Sequence, residues 1–284
     1  MPSFFKILGG LLLFVLLALT TQIGGIVFLI SKFTFRLVPK NRRSRFGFFV
    51  FNLGIYLFCT FLIVPPIATA FGRVPLPIRQ GGYIVPNQFW TCLLNRHYVS
   101  PRLFDAMNDS VEAYLDMGGR RPQVRYLDAN FPFIDGFPLL PHRSHDDGEK
   151  VDLAFYYTDA KRGNAWNKSV SLIGYGFCEK PTSGEQDMPT ICTQKGYWQY
   201  SILDKMFGKA SPDKVLFDAE ETRRLIESIS KQSAVKKIFI EPHLKARLGF
   251  FYDEKVRFHG CAAVRHDDHI HAVSYTHLTL PTKA

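Results

Sequence analysis

Two long apolar segments near the N-terminus constrain the fold of this 284-residue chain most strongly. The first runs from residue 7 to residue 30, and the second runs from residue 46 to residue 64 and stops at Pro65 and Pro66. Each is long enough to cross roughly 30 Å of hydrocarbon at about 1.5 Å per residue. A cleaved signal peptide is the alternative for the first segment, but its apolar core is too long and a second segment follows directly. We therefore expect residues 1–70 to be a membrane anchor with two transmembrane helices, at about 7–30 and 46–64.

Positive charge is concentrated in the same region. Residues 1–70 contain seven Lys and Arg residues and no Asp or Glu, and the first acidic residue of the chain is Asp105. Seven of the ten net positive charges therefore belong to the anchor, and three remain for the rest of the chain. The net positive charge thus lies mainly in the expected membrane anchor, and no motif that reads nucleic-acid bases is present. We therefore exclude nucleic acid as a partner.

The segment between the two apolar stretches predicts the orientation. Ser31 to Arg45 carries six positive charges and no negative charge. The positive-inside rule places such a segment in the cytoplasm. The N-terminus and everything after Pro65 are then expected on the other side of the membrane. In a Gram-negative-like bacterium that side is the periplasm, so we expect an inner-membrane protein with a periplasmic domain.

Most of the histidines lie in two short windows that are far apart in the sequence. Five of the nine histidines are involved, namely His142, His145, His266, His269 and His271. A turn at Gly148 can bring His145 and Asp152 together if the chain then enters a strand. His269 and His271 are two residues apart, so in an extended segment they share a face. Two histidines and one aspartate leave a fourth tetrahedral position for water, which is typical of a catalytic zinc site.

The two windows contain the pattern Ser144-His145-x-x-Gly148-x-x-x-Asp152 followed by His269-x-His271. This pattern resembles that of the LAS metallopeptidases, which include lysostaphin-type enzymes, D-Ala-D-Ala peptidases and hedgehog-like zinc domains. His142 and His266 make the chain most similar to the penicillin-insensitive murein endopeptidases. The resemblance covers two short windows and is loose between them.

The resemblance implies a division of roles among these side chains. The implied zinc ligands are His145, Asp152 and His271, and the implied catalytic residues are His269, His266 and His142. His269 is the general base or transition-state stabiliser, and the other two histidines line the site. The D-Ala-D-Ala dipeptidase branch has a glutamate base ahead of its last histidine. Asp267 and Asp268 stand here instead, which favours the histidine-base branch. His243 and His259 lie outside the pattern and are expected to be ordinary surface or core residues.

The remaining segments favour an α+β fold. Local patterns predict three helices and several strands, namely helices at 100–117, 218–230 and 243–248 and strands at 123–127, 152–157, 169–177 and 235–240. These elements do not alternate as βαβ units do, so we expect a small antiparallel sheet. The resemblance implies the LAS or hedgehog-like fold for a zinc peptidase domain at residues 100–271. Residues 71–99, which contain several glycines and prolines, are expected to be a linker and entry segment.

Four cysteines are expected on the oxidising side of the membrane, namely Cys92, Cys178, Cys192 and Cys261, and they allow three pairings. Cys178 and Cys192 are close in sequence, so we expect a disulfide between them. The leftover pair is then Cys92 with Cys261. Cys59 is expected to remain a thiol within the second transmembrane helix.

The C-terminal residues 272–284 are expected to be foreign to the protein. The sequence Val273-Ser-Tyr-Thr-His-Leu can be translated in frame from a transposase sequencing adapter. We therefore expect the genuine sequence to end at His271, and His277 is not counted as a metal ligand.

These features predict a membrane-anchored zinc metallopeptidase that hydrolyses peptide cross-links of peptidoglycan, with its oligomeric state left open. The alternative is a non-catalytic zinc domain that is tethered to the membrane and binds a wall peptide or a protein partner. Such a module needs the three metal ligands but not His269. A membrane transporter or sensor is disfavoured, because two spans form no pore and neither carries an intramembrane charge. The sequence does not separate endopeptidase from carboxypeptidase action.

Overall fold

The N-terminal region folds into four helices. They are α1 (Pro2–Thr21), α2 (Gly24–Thr34), α3 (Arg45–Phe58) and α4 (Val64–Ala70), with a π-helical segment, Cys59–Ile63, joining the last two. The computed structural model describes residues 2–121, 123–200 and 214–274. Two helical stretches within these ranges, Phe4–Thr21 and Arg45–Ala70, are long and apolar enough to cross a membrane.

The first apolar segment is not one helix, so the expected span at residues 7–30 is wrong in its bounds. The chain reverses at Gln22, whose φ is 64°. Helix α2 then runs back along α1 and packs closely against it. The approach is so close that a Cβ placed on Gly25 would lie 2.8 Å from the carbonyl oxygen of Phe14. Glycine permits this close approach of two backbones. The apolar run is therefore a helical hairpin, and Phe4–Thr21 is the part that could span a membrane.

The second apolar segment is longer than the expected 46–64, since its helical stretch continues to Ala70. Pro65 and Pro66 do not end it, because they lie in the first turn of α4, where missing N–H groups are tolerated. Val64 and Ala68 are buried, and they pack with Ile23 and Tyr98 in a small apolar cluster. The last part of this stretch is thus attached to the rest of the protein.

Hydrogen bonds fix the helices to the C-terminal part of the chain at the hairpin turn. The Asn95 side chain donates to the Thr21 carbonyl at 3.4 Å, and the backbone N–H of Phe133 donates to Oε1 of Gln22 at 2.9 Å. The 20-residue α1 extends away from this turn. Its N-terminus therefore lies at the far end from the C-terminal domain, at the same end as the basic segment at 35–44. The hairpin predicts that the N-terminus lies on the same side of the membrane as the basic segment, whereas the sequence alone predicted the side of the domain.

Residues 71–274 form an α+β domain in the described ranges, as expected. Its strands are β1 (Val74–Pro75), β2 (Ile84–Pro86), β3 (Tyr98–Val99), β4 (Val124–Tyr126), β5 (Lys150–Ala154), β6 (Tyr157–Asp159), β7 (Val215–Phe217), β8 (Val235–Phe239), β9 (Val256–Arg257) and β10 (His269–Ser274). The main sheet has the order β2-β4-β5-β10-β8-β9. Its four central strands are antiparallel, whereas β2 and β9 pair in parallel with β4 and β8. The sheet is therefore mixed, and antiparallel only in its centre.

The helices of the domain are α5 (Phe89–Leu93), α6 (Pro101–Asp116), α7 (Met188–Gln194), α8 (Ala219–Ser230) and α9 (Pro242–Arg247). The predicted helices at 100–117 and 218–230 are confirmed as α6 and α8, and each begins at a side-chain cap, Ser100 or Asp218. Both helices share one apolar core with Val151, Leu153 and Ile270 of the sheet. Side chains alternate along a strand, so the opposite face of β5 and β10 carries Asp152 and the two histidines.

Two further segments differ from their predictions. Residues 71–99, expected to be a linker, contain β2, which belongs to the main sheet, and α5. Residues 169–177, expected to be a strand, form an irregular loop. Gly174 and Gly176 have φ values of 87° and 84° in this loop, and such a backbone does not fit a strand.

The disulfide prediction is wrong. Cys192 is bonded to Cys261, with their Cα atoms 5.3 Å apart, so neither Cys178–Cys192 nor Cys92–Cys261 can form. Cys92 is buried, with its sulfur 3.4 Å from the Tyr126 hydroxyl. The bridge joins segments 69 residues apart, and proximity in the sequence did not reveal it.

Strand β10 continues past His271 to Ser274, and Val273 pairs with Lys150. The first residues of the suspected foreign tail thus take part in the sheet. The rest of that tail, residues 275–284 with His277, lies outside the described residues.

We expect Gly25→Leu to destabilise the protein by about 1–3 kcal/mol, because the new side chain collides with the backbone of α1. Gly54→Leu is the matched control, since a Cβ at Gly54 meets no atom within 4 Å. Thermal unfolding of both variants in detergent micelles, followed by circular dichroism, measures the difference. Equal unfolding midpoints for the two variants would contradict the hairpin.

Candidate metal centre

Pairing of β5 with β10 brings the two sequence windows together. In this antiparallel pair His271 lies opposite Asp152, and His269 lies opposite Ala154. Directly opposite residues of paired strands project to the same face of a sheet, and so do residues two apart in one strand. The Asp152 carboxylate and both imidazoles therefore meet on the face that the core helices leave uncovered.

His145 reaches this face from the loop that precedes β5. Gly148 has a φ of 83° there, and a Cβ at this position would lie 2.5 Å from the guanidinium of Arg73. Only glycine satisfies both conditions without strain. The expected turn at Gly148 is thus present, and it brings His145 next to Asp152.

The donor atoms of the three implied ligands lie within 3.3 Å of one another. Nε2 of His145 is 3.1 Å from Nδ1 of His271 and 3.3 Å from Oδ1 of Asp152. Nδ1 of His271 is 2.7 Å from the same carboxylate oxygen. All three side chains are buried. Two imidazole nitrogens and one carboxylate oxygen at one point could hold a metal ion.

Neighbouring groups orient these donor atoms. Nδ1 of His145 is 2.7 Å from the carbonyl oxygen of Ala129. A carbonyl only accepts, so Nδ1 carries the hydrogen and Nε2 presents its lone pair to the cluster. The Tyr175 hydroxyl donates to Oδ2 of Asp152 at 2.8 Å, which leaves Oδ1 facing the histidines. Partners of this kind fix the tautomers and the orientation of metal ligands.

The electrostatics keep Asp152 ionised. Burial alone would raise the pKa of this carboxyl group, but His145, His269 and His271 outweigh burial and hold the pKa well below its usual range. The pKa of His271 is lowered to about 3, chiefly by burial, so its imidazole is neutral at physiological pH. An anionic carboxylate beside a neutral imidazole is the protonation state that metal coordination needs.

His269 lies beside the three donors, with one ring nitrogen held and the other unpaired. Its Nδ1 bonds to the Asp268 carboxylate. Its Nε2 is buried, has no hydrogen-bond partner, and lies 3.7 Å from Oδ1 of Asp152. Burial lowers the pKa of His269, but the carboxylates of Asp152 and Asp268 outweigh it and raise the pKa. Nε2 is therefore free to bind a proton, a metal ion or a substrate atom.

His142 and His266 complete the cluster from two sides. Nδ1 of His142 is 3.0 Å from Oδ2 of Asp152 and 3.4 Å from Oδ2 of Asp128. Burial lowers the pKa of His142, but these two carboxylates outweigh it and raise the pKa to about 9. The His266 ring centre is 5.1 Å from that of His269, and burial lowers the pKa of His266 well below its usual range. One histidine is therefore cationic and the other neutral at physiological pH.

The potential metal donors fall into two neighbouring groups of three within the described ranges. In each group, all donor atoms lie within 4.8 Å of one another; the groups are His142, His145 and Asp152, and His266, His269 and His271. The implied triad takes two members from the first group and one from the second. All six candidate site residues from the sequence therefore meet in one place.

Several residues of this site were not predicted from the sequence. Asp128 faces His142 and is held by Arg96, whose Nη2 lies 2.9 Å from its carboxylate. Asp128 directly follows the predicted strand at 123–127, a position that could have indicated it. Tyr175 lies in residues 169–177, which were predicted to be a strand and not part of the site. His259 also lies at the edge of the site, because its ring centre is 5.4 Å from that of His266.

The other unassigned histidine has a structural position, as expected. His243 is buried in α9, and its Nε2 is 2.7 Å from the carbonyl oxygen of Glu179. This contact ties α9 to the loop that precedes α7. His243 belongs to neither group of potential metal donors.

We expect Tyr175→Phe to weaken metal binding by about 10- to 100-fold, because the Asp152 carboxylate loses the donor that orients it. Tyr157→Phe is the control, since the Tyr157 hydroxyl is buried without a hydrogen-bond partner. Competition between each variant and a chelator of known affinity measures the change. Equal affinities for the two variants would show that the Tyr175 contact does not support the metal.

Comparisons with protein-family models and with curated proteins find no match to this chain. The resemblance to LAS metallopeptidases thus rests on the two sequence windows. The geometry adds that all six implied site residues converge in a buried cluster of His and Asp side chains that could hold a metal ion.

Proposed function

We propose that this chain is a membrane-anchored zinc metallopeptidase that hydrolyses peptide cross-links of peptidoglycan. The observation that carries the proposal is the unpaired Nε2 of His269 beside the donor atoms of His145, Asp152 and His271. An imidazole that is held at Nδ1 and unpaired at Nε2 can act as a general base beside a metal ion with three protein ligands. The resemblance supports the peptidase assignment, because it implies the same four residues in the same roles.

Zinc is the metal that this donor set fits best among common protein metals. Imidazole nitrogen with one carboxylate is a typical zinc environment, whereas calcium and magnesium prefer oxygen donors alone. Three protein donors leave a fourth position for a water molecule or a substrate atom. When bound, zinc would lower the pKa of a water molecule and polarise the scissile carbonyl group.

The residues around the metal donors would then transfer protons and stabilise charge during hydrolysis. Nε2 of His269 accepts a proton from the attacking water, and Asp268 holds the opposite ring nitrogen and stabilises the resulting cation. His142 is cationic at physiological pH, so it can donate to a carbonyl or carboxylate oxygen of the peptide. His266 is neutral and lines the same cavity as His142.

The fold is compatible with the LAS or hedgehog-like architecture that the resemblance implies. The cluster lies on one face of the central antiparallel strands, and the core helices cover the other face. Membrane anchoring is supported by the two candidate spans, and a periplasmic domain is supported by the charge of the segment between α2 and α3. This side of the membrane is the one where peptidoglycan is found.

His269→Ala should retain near-stoichiometric zinc but lose about 10²-fold or more of its hydrolytic rate, the scale of a lost general base. His145→Ala should lose zinc and activity together, because it removes a ligand. Metal analysis and mass spectrometry of muropeptides on the same full-length samples measure both quantities. Chelation of the unmutated protein should abolish activity, and added zinc should restore it.

Each alternative outcome has a definite meaning. Loss of zinc from His269→Ala would make His269 a ligand and overturn the assignment of roles. Full activity in His269→Ala would make His266 the candidate base. Zinc binding without any cleavage of wall peptides by the unmutated protein would favour a non-catalytic module that binds a wall peptide or a protein partner.

The topology can be tested with one introduced cysteine in the full-length chain after Cys59, Cys92 and Cys178 have been replaced by serine. Asn41→Cys, in the basic segment, should react with a membrane-impermeant maleimide only after the inner membrane is opened. Ser183→Cys, in an exposed loop of the domain, should react in intact spheroplasts. Because α1 and α2 form a hairpin, a reporter fused to the N-terminus should lie on the Asn41 side. Reaction of Asn41→Cys in intact spheroplasts would contradict the periplasmic assignment.

A further inference from the structure

An apolar cavity of about 400 Å³ adjoins the metal cluster. Its walls are formed mainly by Trp90, Leu94, Leu172 and Ile173, and His142 and Arg96 lie at its polar end. Cavities of roughly 300–1,000 Å³ with apolar walls and a few polar groups are typical ligand sites. The zinc chemistry proposed above does not use this cavity.

The polar end of the cavity belongs to the candidate metal centre. His142, which lines the cavity, is 3.0 Å from the Asp152 carboxylate. Asp128 and Tyr175 also line it, and both contact groups that orient the cluster. A molecule that fills the cavity and contacts His142 is therefore one side chain away from the donor atoms.

The apolar end of the cavity is attached to the second candidate span. Trp90 lies in α5, and Leu94 directly follows this helix. The carbonyl oxygen of Leu93, the last residue of α5, accepts a hydrogen bond of 2.5 Å from the Tyr56 hydroxyl. The Phe61 and Phe89 rings stack with centroids 6.0 Å apart. Both Tyr56 and Phe61 lie within the candidate span Arg45–Ala70. The cavity therefore opens beside a helix that fits the interior of a membrane.

Large apolar side chains are exposed on this part of the domain. Leu172 is 80% exposed, Trp90 is 57% exposed and Phe89 is 50% exposed. A cluster of exposed apolar side chains is unfavourable in water but favourable at the boundary between lipid and water, where tryptophan in particular is enriched. The mouth of the cavity is thus suited to receive a chain from the membrane.

We propose that the cavity binds the hydrocarbon chain of a membrane-bound amphiphilic substrate, whose polar peptide part reaches the metal centre. This inference rests on the proposed peptidase function and adds a substrate class to it. A second cavity, of about 270 Å³, shares His142 with the first and is also lined by His259, His266 and Gln199. It provides a more polar path for the rest of the peptide.

Binding is tested on the full-length chain in lipid nanodiscs, with a palmitic acid that carries a photoreactive diazirine as the probe. Mass spectrometry should locate the label on Trp90, Leu94, Leu172 or Ile173. Leu172→Asp should reduce this labelling by about tenfold or more, the scale of losing the burial of two methylene groups. Leu216→Asp is the control, since Leu216 is exposed and does not line the cavity. Equal labelling of the two variants, or label spread over all exposed apolar side chains, would overturn the proposal.

Hydrolysis separates this proposal from the peptidase assignment. The same D-alanine-containing peptide is supplied with and without an N-terminal palmitoyl chain, and KM is compared between Leu172→Asp and Leu216→Asp. The acylated peptide should have a KM about tenfold higher in Leu172→Asp than in the control. Cleavage of both peptides with no such difference would leave the peptidase intact and overturn the amphiphilic substrate. A labelled cavity without cleavage of either peptide would overturn the peptidase and still support the hydrocarbon site.

Discussion

The register between β5 and β10 is the constraint on which the candidate site depends. It places His271 opposite Asp152, although the two residues are 119 positions apart in the chain. A shift of one residue would turn His269 and His271 toward the core helices and bring Ile270 into the polar cluster. The register is secured from the other face, where Ile270 and Ala272 are fully buried. Core packing thus determines which side chains can meet at the candidate metal centre.

The sequence predicted the parts of the protein that follow from local pattern and from the two histidine windows. Helices α6 and α8 were predicted from their apolar periodicity, and the convergence of His145 with Asp152 was predicted from the glycine between them. Contacts between distant segments were not predictable in this way. Tyr175 joins the site through a loop that no short pattern describes, and the Cys192–Cys261 bridge depends on the placement of α7.

The hairpin of α1 and α2 was not predicted from the hydropathy of the N-terminal region. Hydropathy detects that a segment is apolar and long, but it does not detect that the chain reverses within the segment. Gln22 and the glycines after it make the reversal possible, because the turn needs a positive φ and the returning helix needs a close approach. The reversal also places Thr21 and Gln22 against the domain. The helices therefore contact the domain at this turn, and α5, which lines the apolar cavity, contacts the second candidate span.

The energetics of the cluster favour a functional origin over a structural one. Burying a carboxylate among imidazoles is costly, and replacing such a network by apolar side chains is often neutral or stabilising. The neighbouring face of the same strands shows that this chain can build an apolar core around Val151 and Leu153. The cluster instead orients each donor separately, through the Ala129 carbonyl, the Tyr175 hydroxyl and the Asp268 carboxylate. It also leaves Nε2 of His269 buried without a hydrogen-bond partner. An unpaired buried nitrogen beside side chains that could hold a metal ion is consistent with the function proposed above.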